Sequence, residues 1–302
     1  MELMDSSKKL VQDHVKQELD STSLEVMQYA VMALYATLGD IAKDGLPKIL
    51  EELHIYAEEK TVLDMAHEYL NNYQEDDMLK HSDACVTRSL SFDEDDDSFI
   101  EEKRNLLISL LGDKDYFQIV SKIIHELIHL LRFGGVQQDG HKYKIKDGIS
   151  VSYFDADTRK LRRKHQNMEE GIVQKYTNMA IRNLYELIKD EKIDSDVYRG
   201  FVEGFKTYTF PDYLLEVSMI EALCQNPRFE NLVEESFRET QVPSQAIVYY
   251  NGVMVSPSAF MELGKLIAQI RDNVLNDGDV MSDFVKAKAM VATFLNNSKY
   301  HK

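Results

Sequence analysis

The sequence predicts an α+β fold, predominantly α, with a small β-sheet and helical regions towards both ends. Three observations carry this prediction. Apolar residues recur at intervals of three and four through "LEVMQYAVMALYATL", "LPKILEELHIYAEE" and "VLDMAHEYLNNY", which is the period of an amphipathic helix. A strongly apolar segment, "SKIIHELIHLLRF", runs into Gly134 and Gly135, where a helix can end. Two tight-turn signals, Lys146-Asp147-Gly148-Ile149 and Asn251-Gly252, stand between alternating segments as in β-hairpins.

In chain order, the stretch from about Asp5 to Tyr73 reads as antiparallel helices with short connections. Pro47 opens one of them after a break at Gly45. From Gln74 to Glu102 the character changes to "QEDDMLKHSD" and "FDEDDDSFIEE", acidic and poor in apolar periodicity, as in a solvated surface loop. The carboxylates of Asp93 to Asp97 lack the glycine and the spacing of a calcium loop. A helix is expected from Lys114 to Phe133, then two or three short strands in "HKYKIKDG", "ISVSYFDAD" and "TRKLRRKH", then a helix from Gln166 to Asp190. The last third reads as mainly helical, interrupted by one hairpin in "QAIVYYNGVMVS". The organisation is therefore 1–75 as a helical N-terminal region, 76–190 as the core and 191–302 as a helical C-terminal region with one hairpin, read together as one compact unit. No internal repeat is present.

The bulk numbers bound the function. A chain of 302 residues, 44% hydrophobic and 29% charged, has the composition of a soluble globular protein. Its net charge of −17 argues against a general nucleic-acid or anionic-membrane binder, because phosphate contacts need clustered cations. The N-terminal segment lacks the apolar stretch of a secretory signal. The longest nearly uncharged stretch, "QYAVMALYATLG", is too short to span a bilayer. Cys85 and Cys224 are the only cysteines, so no disulfide framework is implied. These features lead to the expectation of a cytoplasmic protein without a membrane span.

One motif carries chemistry. His125 and His129 are four residues apart on a confident helix, so their imidazoles project from one face a turn apart. That spacing lets two nitrogens reach one zinc ion at about 2.0–2.1 Å. Glu126 stands beside them, offset by about 100°, where a carboxylate can serve a metal-bound water as general base and the leaving amine as general acid. A helix whose polar stripe merely faces solvent or a neighbour would carry the same letters. Apolar residues nevertheless surround the trio on nearly all sides, and burying His and Glu without partners is costly.

"IIHELIHLL" resembles the active-site helix of zincin metallopeptidases, although Lys122 departs from their longer consensus. A metzincin would have glycine at 132 and histidine at 135, where this chain has Arg132 and Gly135. "QNMEEGIVQKY" is similar to the N-E-G-x-x-E helix of gluzincin-like bacterial proteins. That resemblance implies zinc bound by His125, His129 and Glu170, with Gln174 at the position that orients a ligand histidine. Two residues depart from the pattern: Glu169 stands where asparagine is usual, and Gln174 replaces a carboxylate. Periodicity puts Glu169 in the middle of the apolar face and Glu170 at its margin; a residue facing a metal cleft need not share the core-facing stripe, so Glu170 is the favoured third ligand and Glu169 the alternative.

The reading is a zinc-dependent peptidase with a zincin-like core, Zn2+ as cofactor and a peptide or protein as substrate partner. The alternative is a non-catalytic zincin-derived binding or regulatory protein with a structural metal. Around the motif, "GISVSYFDAD" is a candidate rail for an extended substrate. "RKLRRKH" is the one strongly basic run. His165, Tyr176, Tyr208 and Tyr213 are candidate oxyanion donors, and Cys85 could serve as a latency ligand or as a small buried hydrophobe.

Overall fold

The computed structural model describes residues 2–70, 84–93, 98–112, 115–148, 150–155, 158, 160–164, 166–208 and 213–225, with isolated positions from 227 to 290. Its architecture is α+β and mostly helical, with two small sheets. The division by composition at 75 and 190 is not the division by contact. Residues 1–131 with 176–209 form one compact unit, and 132–175 with 210–302 form a second.

The first unit opens with three helices: α1 (Glu2–His14), α2 (Ser21–Leu38) and α3 (Asp40–Glu52). α2 is started by the Asp20 carboxylate, which accepts from the Ser23 amide at 2.8 Å, supplying one of the bonds a helix N-terminus lacks. It is buried around most of its circumference and packs against α1, α3, α5 (Tyr116–Leu131) and α7 (Asp196–Thr207). α3 differs from expectation, since the helix runs through Gly45 and Pro47 rather than restarting there. Ala42, Leu46, Ile49 and Leu50 form one buried face, and packing of that face outweighs the local cost of the proline.

The second departure follows at once. "LHIYAE" continues the helical rhythm of α3 in sequence, yet Leu53–Glu58 is strand β1. It pairs in parallel with β3 (Ser98–Ser109), which pairs antiparallel with β2 (Ala84–Asp93), giving the order β1-β3-β2. The stretch expected as one acidic surface loop therefore supplies two strands, while residues 71–83 and 94–97 lie outside those described. α4 (Val62–Tyr69) covers this sheet through Val62, Met65 and Ala66 against Leu107.

α5 is the hub of the unit, contacting α2, α3, α7, β2 and β3. Phe117 fixes its start by ring contacts with Phe201, Phe205 and Tyr208. Phe201 lies on α7, whose N-cap is Ser195.

The second unit is built on an antiparallel meander of four strands: β4 (Phe133–Asp139), β5 (Lys142–Asp147), β6 (Ser150–Asp155) and β7 (Lys160–Lys164). Gly134 and Gly135 do not cap α5. They lie in β4, where the register shifts between Phe133 and Gly135, as at a β-bulge. The expected turn at Gly148 joins β5 to β6. α6 (Gln166–Ile188) begins in this unit, and α8 (Leu214–Cys224) belongs to it. The hairpin expected around Asn251-Gly252 lies outside the described residues.

Candidate metal centre

α5 is buried on every side except along a stripe of Lys122, Glu126 and His129, with the buried His125 beside them. Eleven of its residues are buried, nine of them hydrophobic, so the apolar faces fix the helix and leave the polar face oriented without choice. The two imidazoles meet with Nε2 to Nε2 at 3.2 Å and ring planes at 66°. Two nitrogens held at about 2.0–2.1 Å from one tetrahedral ion would stand roughly 3.3–3.4 Å apart. The spacing suits two ligands sharing a cation, and it equally suits an N–H···N hydrogen bond between the rings.

Glu126 is held from a different direction. One of its carboxylate oxygens accepts the Val86 amide of strand β2 at 3.2 Å. β2 is the outer strand of its sheet, paired on one side with β3, so this amide points away from the ladder towards α5. The sequence reading did not include Val86, because a backbone donor leaves no residue-type signal.

In the second unit, Glu169 and Glu170 open α6 and have different environments. Glu169 is 1% exposed and Glu170 half-buried. Arg132, itself buried, donates through Nε and Nη2 to the two oxygens of Glu169, the second bond at 2.9 Å. A fork of this kind satisfies both lone-pair directions and neutralises both charges. The Arg132 guanidinium also lies over the Phe237 ring at 4.5 Å. Glu169 is therefore committed to a buried cation. Gln174, one turn on, is buried.

Two glycines let these elements come so close. Gly148 has φ of 54° and a β-carbon there would collide with the Glu169 carboxylate. Its own amide donates to the Arg132 carbonyl at 2.8 Å. At Gly171 a β-carbon would stand 2.9 Å from the Glu216 backbone on α8. The Glu-Gly pair of the motif thus combines a candidate ligand with a helix–helix approach.

His125 and His129 in the first unit and Glu170 in the second each offer one ligand atom, imidazole nitrogens and a carboxylate oxygen, of the kinds that zinc accepts. One expectation around the motif is corrected. "GISVSYFDAD" contributes β6, which is paired on one side with β5 and on the other with β7, so it has no open edge for a substrate strand. The outer strand near Glu126 is β2. Cys85, half-buried, packs with Tyr56, Tyr69 and Leu70 against Val62, Met65, Ala66 and Leu107. Tyr208 packs against Phe117 in the aromatic cluster, with the rings tilted by 50°. Tyr213 precedes α8 with φ of 50°, and Tyr176 is buried. His165 and the side chains of the basic run 159–165 lie outside the described residues.

Compared with known proteins, the chain matches no family model, no curated protein and no solved structure. Among the described residues, no helix is long and apolar enough to cross a membrane.

Proposed function

We propose that the chain is a zinc-dependent peptidase with a zincin-like core, in which His125, His129 and Glu170 hold the ion. The observation that carries this reading is the 3.2 Å approach of the two imidazole nitrogens on the buried helix α5. Helix spacing alone brings two histidines to one face, but it does not aim both Nε2 atoms at one point. Zinc, when bound there, supplies a Lewis acid that lowers the pKa of a bound water and polarises a carbonyl.

The rest is work for the chain's own groups. Glu126 takes a proton from the attacking water and returns it to the leaving amine. The Val86 amide, donating to one oxygen of that carboxylate, holds it in place. A metal site with a purely structural role would need no carboxylate at 126. The substrate class that follows is a peptide or protein.

The test is metal content followed by a single substitution. One zinc per purified chain is expected, and Glu126→Gln should keep the zinc while lowering peptide hydrolysis by roughly 10²–10⁴-fold. No zinc after reconstitution would sink the metal reading. Bound zinc with hydrolysis unchanged in the variant would sink the mechanism alone.

A further inference from the structure

We infer that Arg132 and Glu169 are positioning residues for the metal site: their ion pair fixes the first turn of α6 so that Glu170, and not Glu169, is offered to the metal. The inference rests on the peptidase reading and adds to it the device that selects between two adjacent carboxylates.

The pair has no evident purpose as a source of stability. Its side chains are 0% and 2% exposed, and desolvating two ions can cost more than their attraction returns, so apolar residues of similar volume often serve a core as well or better. What an ion pair adds is direction. The guanidinium is a planar fork and accepts one orientation of the carboxylate. Three further contacts narrow that orientation: the Phe237 ring over the guanidinium, the Gly148 amide on the Arg132 carbonyl and the glycine surface pressed on the Glu169 carboxylate.

Consecutive helical residues point about 100° apart. Anchoring Glu169 therefore fixes the direction of Glu170 as well. The same pair removes a competing ligand, because a carboxylate held by two charge-assisted hydrogen bonds is not free to bind a cation. Arg132 follows α5 by one residue, so the anchor is set close along the chain to His129. In this account Arg132 and Glu169 act through Glu170 and touch no reacting atom.

The experiment uses the full-length protein with zinc and cobalt(II) as probes. Zinc affinity is read by competition with a chromophoric chelator, and site geometry by the visible absorption of the cobalt form. Arg132→Met combined with Glu169→Gln removes both charges together, which a buried site tolerates better than the loss of one partner. The double variant should unfold cooperatively like the parent, bind zinc about 10–100-fold more weakly, as when partners behind metal ligands are lost, and show an altered cobalt spectrum. Arg132→Lys, which keeps the charge without the fork, should fall between the two.

A folded double variant with parental zinc affinity and an unchanged cobalt spectrum would overturn the inference and leave the pair as packing. So would a double variant that cannot fold beside an Arg132→Lys protein of parental affinity. A parent chain that binds neither metal would instead overturn the metal reading, and the positioning role with it.

Discussion

Arg132 with Glu169, and His125 with His129, are both polar pairs in apolar surroundings, yet they are closed in different ways. The first pair joins opposite charges, with two hydrogen bonds and no lone pair left facing its partner. The second sets two like groups nitrogen to nitrogen at 3.2 Å, a contact that needs a proton or a cation between them. A buried polar group whose partners all come from the protein builds structure, whereas one aimed at its own kind is built for something added. The glutamates repeat the contrast. Glu169 is fully committed to a cation, while Glu126 accepts a backbone amide, which orients a carboxylate without neutralising it.

The largest effect that would sharpen this contrast is expected from the histidines. His129→Ala should lower zinc affinity by more than the roughly 10–100-fold range expected for partners behind a ligand, with little change in the unfolding midpoint, because His129 lies on the less buried stripe of α5. Chelator competition and urea unfolding on one preparation would test it. A large loss of stability with zinc binding retained would reverse the assignment of the two pairs.

Next in size is Glu169→Ala, which leaves the Arg132 cation buried without its acceptor. Breaking one side of such a pair costs about 3–5 kcal/mol, to be read from denaturant midpoints. A loss under about 1 kcal/mol, the range of exposed pairs, would show that water reaches the guanidinium and that the pair is not closed.

The glycines divide in the same order. Gly148→Ala adds a β-carbon where the backbone has φ of 54° and the Glu169 carboxylate already fills the space. The expected loss is about 2–3 kcal/mol, near the upper end for a single substitution. Gly171→Ala meets the Glu216 backbone at 2.9 Å, but alanine returns about 1 kcal/mol of helix propensity, so its net loss should be smaller. Thermal unfolding of the two variants side by side would order them, and Gly171→Ala as the worse of the two would place the tighter constraint at α8.

How much of this was legible in the sequence follows from range. α5 and the His125-Glu126-His129 trio were, because periodicity and local spacing specify them within two turns. β1 was not: Leu53–Glu58 keeps the helical rhythm of the residues before it, and what makes it a strand is pairing with Arg104–Ser109, about fifty residues on. β2 and β3 were hidden by acidic residues that local reading assigns to solvent. Glu170 was favoured over Glu169 only through a resemblance and its place at the margin of an apolar face, because the partner that takes up Glu169, Arg132, is 37 residues away. A signal existed at both ends, a lone arginine after "IHLL" and a lone glutamate in an apolar helix face. Each implies a buried partner without naming it.

The smallest effect is expected where the same charges meet at the surface. Glu58, Lys60, Glu68 and Tyr69 form a more exposed counterpart of the buried pair: Lys60 reaches Glu58 at 2.8 Å and Glu68 at 2.6 Å, and the Tyr69 hydroxyl donates to Glu58. The hydrogen bond from Lys60, with that from Tyr69, holds the Glu58 carboxyl below its ordinary range. The bond to Glu58 pushes the Tyr69 phenol up to about 12. Since the folded-state pKa of Glu58 lies below its unfolded value, its stabilisation is present above the unfolded value and is lost as pH falls through the folded one. Tyr69 has the opposite sign, its stabilisation being present below the ordinary phenol value and lost as pH rises towards 12. Solvent screening keeps both contributions small, so Glu58→Gln should leave the unfolding midpoint at neutral pH nearly unchanged. It should nonetheless return the Tyr69 titration, followed by NMR, towards the ordinary phenol range. A midpoint drop as large as that of Glu169→Ala would mean that hydrogen bonding, without full burial, distinguishes a structural ion pair, and the contrast between the arginine–glutamate and histidine pairs would then have to be drawn from geometry rather than from solvent exclusion.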